Sequence, residues 1–303
     1  MQKQKVNKEL DEKNKAISEQ KKLVEDKNQL ITDSIEYAKS IQDVILPSEE
    51  LLNTNLEDWF VFFKPKDLVS GDFYWAKPVK DKIFIAVIDC TGHGVPGAFM
   101  SLMAFNMLEN IILMKEFSQP SLILDELNAQ VVSILHQQTE NASAKYGMDI
   151  TLIEIDRKKN KVEFAGAHNP LLILSQNENF SPVGEMPKAE GEGKSDTLRH
   201  KAVNLLSEIK ADKTTIGMAL QKFTNHTLTV KKGDMLYLFT DGYPDQKGGP
   251  FNKKFFSTTF KELLASVSQR NCKEQQETLK STFNSWKGST EQIDDVLVMG
   301  IRI

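Results

Sequence analysis

A seven-residue repeat, uninterrupted by any helix-breaking residue, dominates the first 46 positions of the chain. Neither glycine nor proline occurs before Pro47, and apolar side chains recur at every seventh position. Such a period is typical of a helix that supercoils and buries one seam against a partner. The repeat comprises Leu10, Ile17, Val24, Ile31, Ala38 and Ile45, with a partial second series at Leu23, Leu30, Tyr37 and Val44.

Polar residues interrupt the first half of this repeat. Asn14, Lys21 and Asn28 occupy positions where a second apolar column should continue. The pattern therefore allows a solvated single helix or a parallel dimeric coiled coil that becomes firmer from Leu23 onward. We favour the coiled coil, predict residues 1–47 as helix and linker, and expect a homodimer formed through this helix.

Beyond Pro47, short apolar runs alternate with turn residues, and residues 56–303 are predicted to form one domain. Strand-like runs come in groups separated by pairs of helical segments, which is not the alternation of a parallel sheet. The order predicts an α+β sandwich in which two antiparallel sheets are flanked by helix pairs. Residues 175–213 are polar and aperiodic and are predicted to form an insertion or flap. The helical segments are expected near 97–115, 121–138, 257–270 and 273–287.

Charge and cysteine content exclude several classes of protein. A net charge of −4 and a pI near 5.8, with no basic stripe, argue against a nucleic-acid-binding protein. Cys90 and Cys272 are too few for a disulfide framework and favour a reducing, cytoplasmic setting. The N-terminus lacks the apolar core of a signal peptide. The longest apolar stretch is interrupted by polar residues, so we expect a core helix and no membrane span.

A glycine pattern in "IDCTGHGVPGAFM" (88–100) matches the G-x-G-x-x-G of dinucleotide-binding loops. That interpretation requires a second strand after one helix, ending in an acid about 20 residues beyond the glycines. The corresponding segment, "LENIILMKEF", is still helical in pattern, so the dinucleotide interpretation fails. The glycines are better explained by a tight turn and close packing.

Aspartates stand at the ends of several apolar strands. Asp89 ends one strand and Asp241 follows another, Asp294 and Asp295 precede a third, and Asp72 precedes a fourth. Each alone is commonly a turn or cap residue. Together they would meet at one edge of a sheet only with cations between them, and carboxylate oxygens select hard divalent ions such as Mg²⁺ or Mn²⁺. Two such ions would activate water for attack on a phosphoryl group.

Six blocks in order carry a resemblance to a known family: "KPKDLVSGDFYWA", "IAVIDCTGHGVPGAFMSLMAFNML", "YGMDITLIEID", "FAGAHNPLLIL", "GDMLYLFTDGYPDQKGG" and "QIDDVLVMGIRI". Over about residues 56–303 the chain resembles the SpoIIE/RsbU-type branch of the PP2C-like (PPM) metal-dependent serine/threonine phosphatases. The resemblance implies a PP2C-like αββα sandwich. The preceding "DSIEYAKSIQDVILP" is similar to the helical linker that joins such domains to sensory segments.

The resemblance also implies roles for individual residues. Asp89 would bridge two metal ions, and the main-chain carbonyl of Cys90 would complete one coordination sphere. Asp241 and Asp294 would bind the second ion, with Asp295 as the alternative to Asp294. Asp72 would hold a metal or its water, and His93 would be the general acid for the serine leaving group, in competition with a packing role.

The chain departs from the wider family at several positions. No arginine matches the phosphate-binding arginine of the eukaryotic branch, although Lys64 or Lys66 stands in the corresponding region. His168 stands where that branch has an acid for a third metal. Asp149 stands at the start of a strand, where a turn role is expected and a catalytic part is the alternative.

The activity implied is Mn²⁺- or Mg²⁺-dependent hydrolysis of phosphoserine or phosphothreonine on a signalling partner, of the anti-sigma-factor-antagonist type in bacterial partner switching. The alternatives are a non-catalytic binding module on the same fold and hydrolysis of a small phosphate ester.

Overall fold

The computed structural model describes residues 2–114, 119–137, 146–175 and 206–303. The chain divides into two compact units, Met1–Val44 and Ile45–Ile303. The first unit is almost entirely helix α1, Gln2–Ile45, which confirms the predicted long N-terminal helix. Large apolar side chains of both predicted columns are exposed along it, Leu30 and Val44 among them. Its pairing into a coiled coil remains a prediction.

The second unit begins with a short helix whose start is capped by Ser48, because the Ser48 hydroxyl accepts a hydrogen bond from the Leu51 amide. Its helices are α2 (Glu49–Asn55), α3 (Gly94–Met114), α4 (Pro120–Gln137), α5 (Gly242–Asp245), α6 (Ser257–Val267) and α7 (Cys272–Lys287). Its strands are β1 (Asp58–Lys64), β2 (Phe73–Val79), β3 (Lys82–Cys90), β4 (Met148–Asp156), β5 (Lys161–Ala167), β6 (Leu171–Leu174), β7 (Leu206–Ile209), β8 (His226–Thr229), β9 (Met235–Phe239), β10 (Lys247–Gly248), β11 (Lys253–Lys254) and β12 (Val296–Arg302).

Ten of these strands form two five-stranded sheets in which every described pairing is antiparallel. The first sheet has the order β1-β12-β9-β6-β7, and the second has the order β2-β3-β4-β5-β8. The short strands β10 and β11 pair with each other outside both sheets. This arrangement confirms the prediction of antiparallel sheets.

Three apolar clusters define four layers. One cluster lies between the sheets, a second joins the sheet of β3 to α3 and α4, and a third joins the sheet of β9 to α5, α6 and α7. Strand β3 contributes to two of these clusters. Ile85 and Val87 face the other sheet, while Phe84 and Ala86 face the helices. A strand buried on both faces has no polar alternation, which explains its continuous apolar sequence.

Helix α3 is the one described helix that is long and apolar enough to cross a membrane by length and composition. Its residues Ala104, Leu108 and Ile111 are buried in the cluster under the sheet of β3. The structure therefore confirms the prediction that this apolar stretch forms a core helix.

The predicted insertion 175–213 is too long at both ends. Ser175 is buried and donates a hydrogen bond to Asp234, and Leu206–Ile209 is strand β7, which pairs with β6 inside the first sheet. This end was missed because β7 is only four residues long and contains two polar residues, Ser207 and Glu208. Most of the predicted insertion lies outside the described residues.

Candidate metal centre

Two aspartates face each other at one end of the second sheet. Asp89 is the penultimate residue of β3, and Asp149 is the second residue of β4. The register pairs them directly across the antiparallel ladder, so both side chains point to the same face. Like charges in this position repel each other. Asp149 lies at the start of a strand, as the sequence indicates, and its place opposite Asp89 does not agree with the turn role that the sequence favours over a catalytic part.

Asp241 and Asp294 stand at one end of the first sheet. Asp241 follows β9 and Asp294 precedes β12, and the pairing of Phe239 with Val298 brings these two chain ends together. The turn requires glycine after Asp241, because a Cβ on Gly242 would lie only 1.8 Å from the Asp295 carbonyl oxygen. Both aspartates reach the solvent, although the surrounding protein still desolvates their carboxylates in part.

Asp72, just before β2, forms the buried end of the same group. Its side chain is almost fully buried and lies against Asp89 and the Thr240 hydroxyl. Its Oδ2 atom is buried and has no hydrogen-bond partner among the described residues. An unsatisfied carboxylate oxygen in the interior is costly unless something outside the chain satisfies it. We refer to Asp72, Asp89, Asp149, Asp241 and Asp294 as the acid cluster.

Burial raises the pKa values throughout the acid cluster, and repulsion by other members adds to this at Asp72, Asp89 and Asp241. Burial raises the pKa of Asp72 and of Asp89 well above the usual range, with Asp89 acting on the first and Asp241 on the second. Burial, followed by the charge of Asp294, raises the pKa of Asp241 to about 6. Burial also raises the pKa values of Asp149 and Asp294. The cluster is therefore short of positive charge.

Asp295 differs from its neighbour Asp294, because its carboxylate is already engaged. Asp295 Oδ1 accepts a hydrogen bond from the Lys66 amide at 2.7 Å, and Oδ2 accepts one from the Gly71 amide at 2.8 Å. The buried side chain thus holds the loop between β1 and β2. Asp294 Oδ1 accepts a hydrogen bond from the Asp295 amide, and no described donor contacts its second oxygen. Its second oxygen is thus available to a ligand.

The glycine loop at the start of α3 packs against Gly71 without room for side chains. A Cβ on Gly97 would lie 2.2 Å from the Gly92 carbonyl oxygen and 2.8 Å from the Gly71 Cα. Gly92 has a φ of 92°, a value that glycine adopts without strain. These contacts agree with the turn and close-packing explanation of the glycines. They bring the loop before Asp72 against the loop after Asp89.

His93 projects from this loop as a half-exposed side chain. Its Nδ1 lies 2.7 Å from Oδ2 of Asp67, so the ring is oriented by a carboxylate and Nε2 is directed elsewhere. Asp67 was missed in the sequence, although it lies in the block "KPKDLVSGDF" that also contains Asp72. Burial raises the pKa of the Cys90 thiol well above its usual range, which disfavours the thiolate, and the main-chain carbonyl of Cys90 is the candidate ligand.

Two positions at which the chain departs from the wider family, His168 and Lys66, lie beside members of the acid cluster. His168 Nδ1 lies 2.9 Å from Asp149 Oδ2, and the Thr215 hydroxyl donates to Asp149 Oδ1 at 2.6 Å. These contacts hold Asp149 in place on its strand. Lys66 lies near Asp294, since its charge lowers the pKa of that acid.

The acid cluster fits hard divalent cations by its chemistry. Its donors are carboxylate oxygens, one of them buried without a partner among the described residues, and burial, followed by repulsion from other acids, raises the pKa of Asp89. Within the part of the chain that the structure describes, however, no three His, Cys, Asp or Glu side chains are already gathered closely enough to hold an ion. Repulsion among these carboxylates opposes such gathering until a cation neutralises it.

Comparisons with known proteins agree with this fold. The family model for stage II sporulation protein E (SpoIIE) matches residues 80–189 and 195–303. Phosphoserine phosphatase RsbU of Bacillus subtilis (strain 168) is 25% identical over 263 residues, which are 83% of this chain. The chain matches 64% of the length of that relative.

Two solved structures are similar as well. The SiaA-PP2C domain of Pseudomonas aeruginosa is 30% identical with a TM-score of 0.76, and the match covers 91% of this chain and 98% of that one. The PP2C phosphatase domain of SpoIIE from Bacillus subtilis, solved with a fragment of its regulatory domain, has a TM-score of 0.57 at 16% identity. That match covers 81% of this chain and 63% of the other, and it shows a common fold.

Proposed function

The chain belongs to the SpoIIE family of PP2C-like phosphatases, and on that premise we propose that it is a metal-dependent protein serine/threonine phosphatase. The observation that carries the proposal is the acid cluster, in which carboxylates from both sheets meet at one end of the sandwich with raised pKa values. A site with this excess of negative charge can bind a phosphate ester only together with cations.

Four aspartates are proposed as ligands of two Mn²⁺ or Mg²⁺ ions. Asp89 would be the ligand shared by both ions and the Cys90 carbonyl would complete the ligands of one, while Asp241 and Asp294 would hold the second ion and Asp72 would hold a metal or its water. The ions, when bound, lower the pKa of water and draw negative charge from the phosphoryl group. The hydrogen bonds of Asp295 to Lys66 and Gly71 support Asp294 as the ligand of the pair.

His93 is proposed as the group that protonates the leaving oxygen. The hydrogen bond from its Nδ1 to Asp67 orients the ring and leaves Nε2 to transfer a proton to the seryl or threonyl oxygen as the phosphorus–oxygen bond breaks. Asp149 is proposed to support Asp89, since its own carboxylate oxygens are engaged by Thr215 and His168.

The substrate is proposed to be a phosphorylated signalling protein, of the anti-sigma-factor-antagonist type in bacterial partner switching, and the setting cytoplasmic. The likeness to a relative named as a phosphoserine phosphatase supports this class. The exposed apolar columns of α1 support a homodimer through that helix. A non-catalytic module is less favoured, because a binding protein has no need to retain four aspartates at strand ends.

Hydrolysis of a phosphoserine peptide tests the proposal. We expect turnover with Mn²⁺ or Mg²⁺, its loss with EDTA, and a loss of about 100-fold or more in kcat for Asp89→Asn and Asp241→Asn. Asp81→Asn is the matched control, since Asp81 is an exposed acid beside the opposite end of β3. Turnover that survives EDTA, or that survives Asp89→Asn, would contradict a metal-dependent mechanism.

A further inference from the structure

A short two-stranded ribbon follows the metal centre in the chain. Lys247 pairs with Lys254 and Gly248 with Lys253 across β10 and β11, and the turn between them closes through a hydrogen bond from the Asn252 amide to the Gly249 carbonyl. We refer to Lys247–Lys254 as the basic ribbon. It contains three lysines and no acid, in a chain whose net charge is −4.

The basic ribbon is fixed at its base by Trp286 of α7. The Gly249 amide donates to the Trp286 carbonyl at 2.8 Å, and the indole Nε1 donates to the Gln246 carbonyl at 3.0 Å. A Cβ on Gly248 would lie only 2.0 Å from the same Trp286 carbonyl, so the ribbon backbone lies directly on the end of the helix. A surface held in this way loses little conformational entropy when it binds a ligand.

The base of the ribbon adjoins the acid cluster. Asp245 closes the single turn of α5 by a hydrogen bond from its amide to the Asp241 carbonyl at 2.9 Å. Lys254 Nζ lies 2.7 Å from Asp245 Oδ2, and the Phe256 amide donates to the Pro244 carbonyl. One turn of helix is about 6 Å long, so about two residues of an extended peptide span the distance from Asp241 to Asp245, the residue that Lys254 contacts.

The outer part of the ribbon is exposed. Phe251 at the turn is 81% exposed, so its ring is accessible to a partner. Lys247 and Lys253 are exposed as well, and neither forms an ion pair with a described residue. Lys254 is paired with Asp245 and joins the ribbon to α5.

We propose that the basic ribbon binds the segment of the phosphoprotein substrate next to the phosphorylated residue, and that this segment is acidic and has an apolar side chain within reach of Phe251. This inference rests on the proposed function. The acid cluster repels an acidic segment, and a positive surface a few residues away offsets that repulsion and steers the substrate. Phe251 then supplies the apolar contact that charge alone lacks.

Steady-state kinetics with matched substrates tests the proposal. The substrates are a phosphoserine peptide flanked by aspartates and a leucine, a neutral peptide of equal length that keeps the leucine, and p-nitrophenyl phosphate. For Lys253→Ala we expect KM for the acidic peptide to rise about 3- to 5-fold, with kcat little changed and no effect on the neutral peptide. Raising the salt concentration to about 0.5 M should remove most of this difference.

Phe251→Ala should lower kcat/KM for both peptides about tenfold relative to kcat/KM for p-nitrophenyl phosphate. Lys253→Glu should reverse the preference between the acidic and the neutral peptide. The matched controls are Lys158→Ala and Leu113→Ala, an exposed lysine in the turn after β4 and an exposed leucine on α3. Neither control should change the ratio of peptide to small-substrate hydrolysis.

Equal losses on peptides and p-nitrophenyl phosphate would mean that the ribbon only supports α5, and unchanged peptide kinetics would mean that it binds nothing; both overturn the proposal. Fluorescence anisotropy of the acidic phosphopeptide on the full chain separates the two claims. If Lys253→Ala weakens peptide binding but the protein has no hydrolytic activity, the binding role of the ribbon is supported and the phosphatase activity is contradicted. If the protein is active but the ribbon variants have no effect, the phosphatase activity is supported and the binding role of the ribbon is contradicted.

Discussion

At the scale of single residues, the neighbours Asp294 and Asp295 have the same type of side chain but lie in different environments. Asp295 is buried and holds two backbone amides of the β1–β2 loop, whereas Asp294 is exposed and has an oxygen without a described donor. The sequence presents only the pair "DD" before β12 and leaves the assignment to family resemblance. The hydrogen bonds supply the physical distinction.

The first prediction separates these two aspartates. Asp294→Asn should lower kcat about 100-fold or more while the free energy of unfolding changes by about 0.5 kcal/mol or less. Asp295→Asn should lower the free energy of unfolding by about 2–4 kcal/mol, because a buried acceptor of two amides loses its charge. Urea denaturation and phosphopeptide hydrolysis measure the two effects. The same loss of stability in both variants would contradict the assignment.

The second prediction concerns pH in the metal-free protein. Burial and Asp294 raise the pKa of Asp241 to about 6, so the folded state holds this proton more tightly than the unfolded state. The resulting stability is present below about pH 4 and is lost as the pH rises through 6. Metal-free Asp241→Asn should therefore be more stable than the wild type at pH 7.5, by about 1 kcal/mol or less because solvent screens this exposed group.

Thermal unfolding in EDTA at pH 4 and pH 7.5 measures this difference. Most of the advantage of Asp241→Asn should disappear at the lower pH, where the wild-type carboxyl is protonated in the folded state and about half protonated in the unfolded chain. An advantage of equal size at both pH values would show that repulsion within the acid cluster is not its cause.

At the scale of elements, the sequence predicts well those strands that are buried on both faces. Strands β3, β9 and β12 are continuous apolar runs because the layers on either side exclude water. Strand β7 and the basic ribbon were missed, because strands of two to four residues show too little periodicity to be recognised. Their pairing depends on β6 and on Trp286, which are distant in the sequence.

The third prediction concerns the junction of β3 and α3. Gly97→Ala places a methyl group 2.2 Å from the Gly92 carbonyl oxygen, so the glycine loop must move away from Gly71. We expect a loss of about 1–3 kcal/mol in the free energy of unfolding and a fall in kcat of about tenfold or more. Val95→Ala on the same turn, where the side chain is exposed, should change neither quantity appreciably. Wild-type kinetics in Gly97→Ala would refute the packing argument.

At the scale of the whole molecule, the acid cluster depends on contacts that a sequence does not display. Asp89 and Asp149 are 60 positions apart, and Asp241 belongs to the other sheet, yet their charges interact because both sheets end at the same place. Strand-end aspartates identified Asp72, Asp89, Asp241 and Asp294 as candidates. For Asp149 the sequence leaves both a turn role and a catalytic part open, because only the register between β3 and β4 reveals that it faces Asp89.

The fourth prediction concerns assembly through α1. Ile31 and Val24 belong to the apolar seven-residue series and are more than half exposed in the single chain. We expect a homodimer, and we expect the double substitution Val24→Asp and Ile31→Asp to produce a monomer, since buried unpaired charge opposes a coiled-coil seam. Light scattering after size exclusion measures the mass. Lys22→Asp, outside both apolar columns, should leave the dimer intact, and a monomeric wild type would contradict the prediction.

Calorimetric titration of the metal-free full chain with Mn²⁺ at pH 7.5 tests the central claim most directly, because it needs no substrate. We predict that the wild type binds about two ions, and that Asp89→Asn, which removes the carboxylate proposed to be shared by both ions, weakens binding about 100-fold or more. Asp81→Asn should bind as the wild type does. Saturable binding of two ions that is unaffected by Asp89→Asn, or no binding by the wild type, would contradict the assignment of the acid cluster as a two-metal centre.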